Sequence, residues 1–297
     1  MKQNITQIAL SKIQENKRKA ENAFEEKMKS LYQDKKYAEL YKKYTKIVIE
    51  NAKKSIFNEK IDDLTQKDLE KQILDIKKSY KLDGVEIEYA CPLCKDEGYK
   101  DGQMCKCLKR QISKELLKNS GFEKLENFES AMKTCGDLLP VYKLMQAWCK
   151  SDFKKTLIYL AGGTGVGKTY LMRCMANEFI EQGKVIKIVT AFEMNQDFKE
   201  FSKCFDDEIL NKYLSPEILF VDDLGTEPLY KNVSIEYLYL VINERKMKKL
   251  PTIITGNLDL EKIRDRYDER IFSRIVDKTS SINLLLDGED KRLKKRC

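Results

Sequence analysis

The residues Gly162-Gly163-Thr164-Gly165-Val166-Gly167-Lys168-Thr169 have the types and spacing to hold a phosphate chain. They fit the pattern G-x-x-x-x-G-K-[ST], whose glycines let the backbone curl until its N–H groups point inward at a di- or triphosphate. Lys168 can neutralise the outer phosphates, and the Thr169 hydroxyl can ligate Mg²⁺. In Glu217-Ile218-Leu219-Phe220-Val221-Asp222-Asp223, four apolar residues precede two carboxylates, the Walker B pattern. Asp222 would hold the Mg²⁺ shell, and Asp223 would orient or deprotonate an attacking water. Pro251-Thr252-Ile253-Ile254-Thr255-Gly256-Asn257 reads as a strand ending in a polar residue. There a side chain can hydrogen-bond a γ-phosphate or the water; Asn257 fits, with Thr255 as the alternative. Arg270 and Arg274 are four apart and share a helix face. Arginine is suited to reach a transferring phosphate on a neighbouring subunit. Pairing with Glu269 or Asp277 on a solvated face is the competing assignment.

Four thiols make a second constellation: Cys91-Pro92-Leu93-Cys94, ten residues containing Gly98 and Gly102, then Cys105-Lys106-Cys107. Two close thiolate pairs joined by a glycine-bearing turn can wrap a tetrahedral ion, and four such ligands with no open position make a structural site. Lys95, Lys100, Lys106 and Lys109 would offset its charge. Zinc is the expected ion; an iron–sulfur cluster uses the same ligands, and reduced structural thiols are the third reading. Cys135, Cys149, Cys174, Cys204 and Cys297 are scattered, most of them in helical patterns, and read as packing residues.

Positioning these groups requires strands and helices in a set order. An apolar run, Thr156-Leu157-Ile158-Tyr159-Leu160-Ala161, leads into the glycine-rich loop. A helical pattern follows, with Leu171, Met175, Phe179 and Ile180 on one face and Gly183 at its stop. Residues 185–189 read as a second strand, 191–214 as a polar helical stretch and 281–286 as a fifth strand. A helix carrying Val141, Leu144, Met145 and Trp148 precedes the first strand. Residues 1–57 contain no Gly or Pro, and Phe24, Met28, Leu31, Tyr37, Leu40, Tyr41, Tyr44, Ile47 and Val48 recur at helical spacing. A further helix is expected from Thr65 as N-cap, with Leu69, Ile73, Ile76 and Tyr80 as its stripe. These stripes either pack on each other as a hairpin or dock a partner protein. Val85-Glu86-Ile87-Glu88-Tyr89 alternates like a short strand. The expected divisions are a helical arm (1–85), a cysteine module with a linker helix (86–120) and a nucleotide-binding core (121–297).

The 297 residues suffice for one sizeable domain with appendages. Charged residues are 35%, above the usual quarter or so, so much of the chain should be solvated helix. The net charge of +8 is compatible with nucleic-acid binding. Histidine is absent, which excludes His-based acid–base and triad chemistry. The first 20 residues lack the apolar core of a signal peptide, and no run has the length of a membrane span. A cytoplasmic, reducing location is therefore expected, where clustered thiols more often hold metal than form disulfides.

Taken together, these motifs resemble those of AAA+ ATPases, and most closely the DnaC/DnaI-type replicative helicase loaders in their longer Gram-positive and phage form. The resemblance covers roughly residues 90–292. Cys-Pro-Leu-Cys-Lys-Asp-Glu-Gly-Tyr followed by Cys-Lys-Cys resembles the family's cysteine module, and Glu126-Asn127-Phe128 its lead-in segment. Asp222-Asp223-Leu224-Gly225-Thr226-Glu227 resembles its Walker B extension, Glu269-Arg270-Ile271-Phe272-Ser273-Arg274 its arginine-finger helix, and Gly288-Glu289-Asp290-Lys291-Arg292 its closing motif. The resemblance implies an α/β core with a five-stranded parallel P-loop sheet between helices and no lid domain. It also implies ATP with Mg²⁺, zinc in the cysteine module, single-stranded DNA, and contact with a DnaB-type replicative helicase. Arg292 would be the second sensor, although it lies on no obvious lid helix. Gly256 stands where relatives often have Thr or Ser, and Asp223 where most have Glu. The shorter aspartate points to a water-mediated or slow hydrolytic step.

The function expected on this reading is an ATP-dependent helicase loader. ATP would order a head-to-tail homo-oligomer in which Arg270 or Arg274 completes the neighbour's site, and hydrolysis would reset it. Three readings compete: an IstB-like transposition helper, a small-molecule P-loop kinase, and an adaptor that binds ATP without hydrolysing it appreciably.

Overall fold

The computed structural model describes residues 5–57, 60–118 and 120–288. The chain divides into two compact units, Ser11–Glu97 and Gly98–Cys297 with Met1–Leu10. Among the described residues, no helix is long and apolar enough to cross a membrane.

The smaller unit is built from helix α1 (Ile5–Tyr32) beyond Leu10, α2 (Lys35–Ile56) and α3 (Asp63–Ser79). Met28, Leu31, Tyr37 and Ile73 are buried together, with Phe24, Leu40, Tyr44 and Ile76 packed against them. Much of the tyrosine-rich stripe is therefore consumed inside the hairpin, although Tyr41, stacked on Tyr37 at 5.6 Å, stays 50% exposed. Asp34 separates α1 from α2: its carboxylate accepts from the N–H groups of Lys36 (2.8 Å) and Tyr37 (3.0 Å), a side-chain N-cap. Helix α3 begins earlier than expected. Asp62 is its cap and accepts from the Thr65 N–H at 3.1 Å, so Thr65 lies inside the first turn. Buried Asn51 fixes that start, because its amide pairs with both backbone groups of Asp62. Residues 85–89 form no strand, contrary to their alternation.

The larger unit opens with a two-stranded hairpin, β1 (Tyr99–Lys100) and β2 (Gln103–Met104), followed by α4 (Lys106–Leu117), α5 (Phe128–Met132) and α6 (Leu139–Cys149). Then come β3 (Leu157–Gly162), α7 (Lys168–Glu181), β4 (Ile186–Thr190), α8 (Ala191–Cys204), α9 (Asp207–Leu214) and β5 (Ile218–Leu224). The unit closes with α10 (Ser234–Met247), β6 (Thr252–Gly256), α11 (Leu260–Arg266), α12 (Glu269–Val276) and β7 (Ser281–Leu286). Strands β3 to β7 form the expected five-stranded parallel sheet, in the order β4-β5-β6-β3-β7.

Helices cover both faces, so the central strands are buried along their whole length and read as continuous apolar runs. Successive strand residues face opposite sides. Ile158 and Leu160 join Trp148, Phe179 and Phe220 in one core, while Leu157 and Tyr159 join Phe198, Tyr213 and Ile271 in the other. The indole of Trp148 donates to the Lys155 carbonyl at 3.0 Å and packs against the rings of Phe153 and Phe179. Helix α4, grouped by sequence with the cysteine module, packs on β4. The Ser113 hydroxyl accepts from the Ile186 N–H and donates to the Lys184 carbonyl. Strand β6 lies between β3 and β5, so the ends of those two strands converge across it.

Helix α10, not anticipated from sequence, carries Arg245, which is fully buried and has no anionic partner among the described residues. Its guanidinium donates to Thr252 Oγ1 and to the carbonyls of Tyr213, Pro216, Glu217 and Pro251. Each of its five N–H groups thus has an acceptor. Burial pushes its pKa down to about 9, which leaves it charged at neutral pH. Arg245→Met should destabilise the larger unit by about 3–5 kcal/mol, because the acceptors stay buried and unpaired. Arg245→Lys, with three donors in place of a planar fork, should recover only part of this; urea denaturation of the three proteins checks both.

Candidate functional site

Strand β3 delivers the glycine-rich loop to the end of the sheet. Gly162 admits no side chain, since a Cβ there would sit 2.3 Å from the Leu286 carbonyl oxygen on β7. Lys168, at the start of α7 and 6% exposed, donates to the carbonyls of Gly162 (2.8 Å) and Gly163 (2.7 Å) and to Asn257 Oδ1 (2.7 Å). The Thr169 hydroxyl lies 3.1 Å from both carboxylate oxygens of Asp222. Phosphate loop and carboxylate are therefore in direct contact, on one side of the sheet.

Two consecutive strand residues ordinarily face opposite ways. Here the β5–β6 pairing slips between Val221 and Leu224, and Asp223 takes φ +57°. That irregularity brings both Asp222 and Asp223 to the lining of one cleft. Thr255, fully buried, holds the arrangement: its hydroxyl donates to Asp222 Oδ1 and accepts from the Asp223 N–H at 3.0 Å. Burial pushes the Asp222 carboxyl up, the Thr255 hydrogen bond opposes this, and the Asp223 charge adds to it. Thr255 thus sits beneath the carboxylates while Asn257 lines the cleft. The departure at Gly256 has a steric cause. A Cβ would meet the Tyr159 hydroxyl at 2.6 Å, and that hydroxyl is engaged with the Leu258 carbonyl.

The cleft has a volume of about 600 Å³ and is lined by Thr164, Gly165, Gly167, Lys168, Thr169, Tyr170, Arg173, Asp222, Asp223 and Asn257. That is within the usual range for small-molecule sites. Val166 is buried in the core beneath the loop. Tyr170 and Arg173 were not anticipated, although Arg173 is one helical turn from Thr169. Its guanidinium lies 5.6 Å from the Phe122 ring and donates to the Gly121 carbonyl at 3.3 Å, while Nε is buried without a partner among the described residues. The lead-in segment supports this wall: Asn127 caps α5 by accepting from the Ser130 N–H, and Phe128 packs edge-on against Tyr142.

Arg270 and Arg274 do not line this cleft. Arg270, 48% exposed, forms a bidentate pair with Glu236 at 2.9 and 3.2 Å, and its Nε donates to Asp268. Arg274 donates to Asn243 Oδ1 (3.2 Å) and the Tyr239 hydroxyl (3.0 Å). Their partners are thus neither Glu269 nor Asp277; the latter pairs with Lys246. Arg292 lies outside the described residues.

The sulfur atoms of Cys91, Cys94, Cys105 and Cys107 all lie within 4.8 Å of one another. Tetrahedral zinc with bonds of about 2.3 Å requires sulfurs about 3.8 Å apart, so the group fits with small adjustments. Asp96 is a contributor missed by sequence. It is buried in a left-handed conformation, and its carboxylate accepts from the N–H groups of Ala90 (2.9 Å) and Cys91 (2.8 Å). Among the other cysteines, Cys135, Cys149 and Cys174 are buried and Cys204 is exposed, while Cys297 lies outside the described residues. Burial pushes the Cys149 and Cys174 thiols up, which suits inert packing.

Lys168→Ala should weaken ATP binding roughly 100-fold, the loss of a charge-assisted contact worth about 3 kcal/mol, as measured by calorimetry. Metal analysis of the purified chain should find a single zinc that is lost in Cys94→Ser. Visible absorbance from iron would instead assign the thiols to a cluster.

Comparison with known proteins agrees with this geometry. Phage-like element PBSX protein XkdC of Bacillus subtilis (strain 168) is 28% identical over 233 residues, 70% of this chain and 86% of that protein. Replicative helicase loader DnaI of the same strain is 28% identical over 148 residues, 46% of this chain and 47% of DnaI. Replicative helicase loader DnaC of Escherichia coli (strain K12) is 25% identical over 155 residues, 50% of this chain and 62% of DnaC. The chain therefore spans less than two thirds of either loader's length. Residues 109–297 match the family described as IstB-like ATP binding protein. That stretch holds the phosphate loop, both carboxylates and all five parallel strands, and the chain accordingly belongs to the IstB-like ATP binding protein family of AAA+ proteins.

Proposed function

We propose that the chain is an ATP-dependent loader that delivers a DnaB-type replicative helicase to single-stranded DNA, with slow ATP hydrolysis as its switch. The observation that carries this reading is the joining of Lys168, Thr169, Asp222 and Asn257 in one cleft, from the ends of β3, β5 and β6. In it, Thr169 and Asp222 hold Mg²⁺, Asp223 orients the attacking water and Asn257 reads the γ-phosphate. Arg270, exposed on α12 and outside its own cleft, serves the neighbouring subunit, with Arg274 packed behind it against Tyr239. The likeness to DnaI and DnaC supports the helicase as partner. The arm (1–85) and the zinc module (86–120) grip the helicase, and assembly aligns the basic faces of the chain along the DNA strand.

A second reading, a transposition helper of the IstB kind, is favoured by the family match over residues 109–297. It differs in partner, a transposase, and in DNA form, a duplex. Co-purification with the replicative helicase of the same cell separates the two. The loader should retain the helicase with ATP and lose it in Lys168→Ala. Indifference to the helicase together with tighter binding of duplex than of single strands would establish the second reading. Arg270→Ala should keep ATP affinity and lower turnover on single-stranded DNA roughly a thousandfold, the loss expected of an arginine supplied in trans.

A further inference from the structure

Glu227 lies beyond the paired carboxylates, does not line the cleft, and is only 4% exposed. A buried carboxylate is costly unless its oxygens are fully used, and here both are. Oε2 accepts from the Gly225 N–H at 2.9 Å, two residues past Asp223. Oε1 accepts from the Tyr267 hydroxyl and lies 4.0 Å from Arg266 Nη2. The same Arg266 nitrogen donates to the Glu227 backbone carbonyl. One side chain therefore ties the segment leaving β5 to the elbow between α11 and α12. Tyr267 is that elbow: it follows α11 with φ −101° and ψ −87°. The next residue, Asp268, caps α12 by accepting from the Ile271 N–H and holds Arg270 Nε, both at 2.9 Å. The start of α12, from which Arg270 projects, is thus tied to the segment that leaves the strand carrying Asp222 and Asp223, while Glu236 on α10 holds the tip of Arg270.

We infer that Glu227 is a positioning residue that holds the α11–α12 elbow so that Arg270 reaches the neighbouring subunit's nucleotide. This rests on the reading of Arg270 as acting in trans. Its action is on the neighbour's turnover and not on nucleotide binding by its own cleft. A displacement of about 1 Å in such a group can cost on the order of a hundredfold in rate.

The test is subunit mixing. Glu227→Gln should bind ATP with wild-type affinity by calorimetry, while its turnover on single-stranded DNA falls about a hundredfold. Mixed in equal amounts with Lys168→Ala subunits, inactive alone, it should regain activity, because those subunits present an intact elbow to the Glu227→Gln clefts. Arg270→Ala mixed with Lys168→Ala is the control. If the control pair regains turnover and the Glu227→Gln pair does not, Glu227 acts within its own site and the inference is wrong. If neither pair does, the trans reading of Arg270 fails and takes the inference with it. Unchanged turnover of Glu227→Gln alone also overturns it. Should Glu227→Gln fail to fold by circular dichroism, Tyr267→Phe cuts the same tie by one hydroxyl and is scored against the same outcomes.

Discussion

The site depends on one hydroxyl. Thr255 on the middle strand bonds the Asp222 carboxylate on one side and the Asp223 N–H on the other. Without that pin, the irregular end of β5 would lose the contact that reaches both acidic residues, and two adjacent carboxylates, one of them buried, would repel each other. Parallel pairing supplies the pin, because β6 runs between β3 and β5 and ends level with both. The residue two places on, Asn257, then meets Lys168 from the other side. A single strand thus connects the phosphate loop to the carboxylates, and the distances between them follow from strand spacing more than from loop conformation.

The same device recurs where the chain must end one element and start another. Arg245 gathers four backbone carbonyls beneath the sheet, Asp96 gathers two N–H groups at the cysteine turn, and Glu227 spans a strand end and a helix elbow. Each is a charged group whose burial is offset by hydrogen bonds to backbone or hydroxyl partners. Such groups make the geometry specific, because an apolar replacement would leave several backbone groups unpaired at once. They sit at junctions, where neither helix nor sheet ladders can satisfy those groups.

Much of the core was legible. The glycine-rich loop, the carboxylate pair, all five parallel strands and the cysteine cluster are patterns of residue type at short spacing, and short spacing is what periodicity reads. What was not legible depends on residues distant in sequence. Nothing around Asp222 announces that Thr255, and not Asn257, will hold it. The slip of register at β5 needs the facing strand to be seen, and Arg245 looks like one more basic residue in a charged helix until its acceptors are assembled around it. Alternation at 85–89 failed because a strand needs a partner as well as a pattern. The cap of α3 moved because Asp62 outcompetes Thr65, and Asp62 is itself held by Asn51 from the preceding helix. Gly256 departs from the Thr or Ser that relatives often have there, and the space it leaves is filled by a tyrosine hydroxyl from β3.

Trp148 is the single tryptophan of the sequence. Its indole is enclosed between α6 and α7 by two phenylalanine rings, and it does not line the nucleotide cleft. The tryptophan emission of this protein is consequently a private gauge of the packing under the phosphate-binding helix. Its emission should be blue-shifted in the native state and move to the red only when that layer opens. Unfolding followed by tryptophan emission will therefore describe the sheet and its helices, and will be silent about the amino-terminal hairpin, whose aromatic rings include tyrosines but no tryptophan.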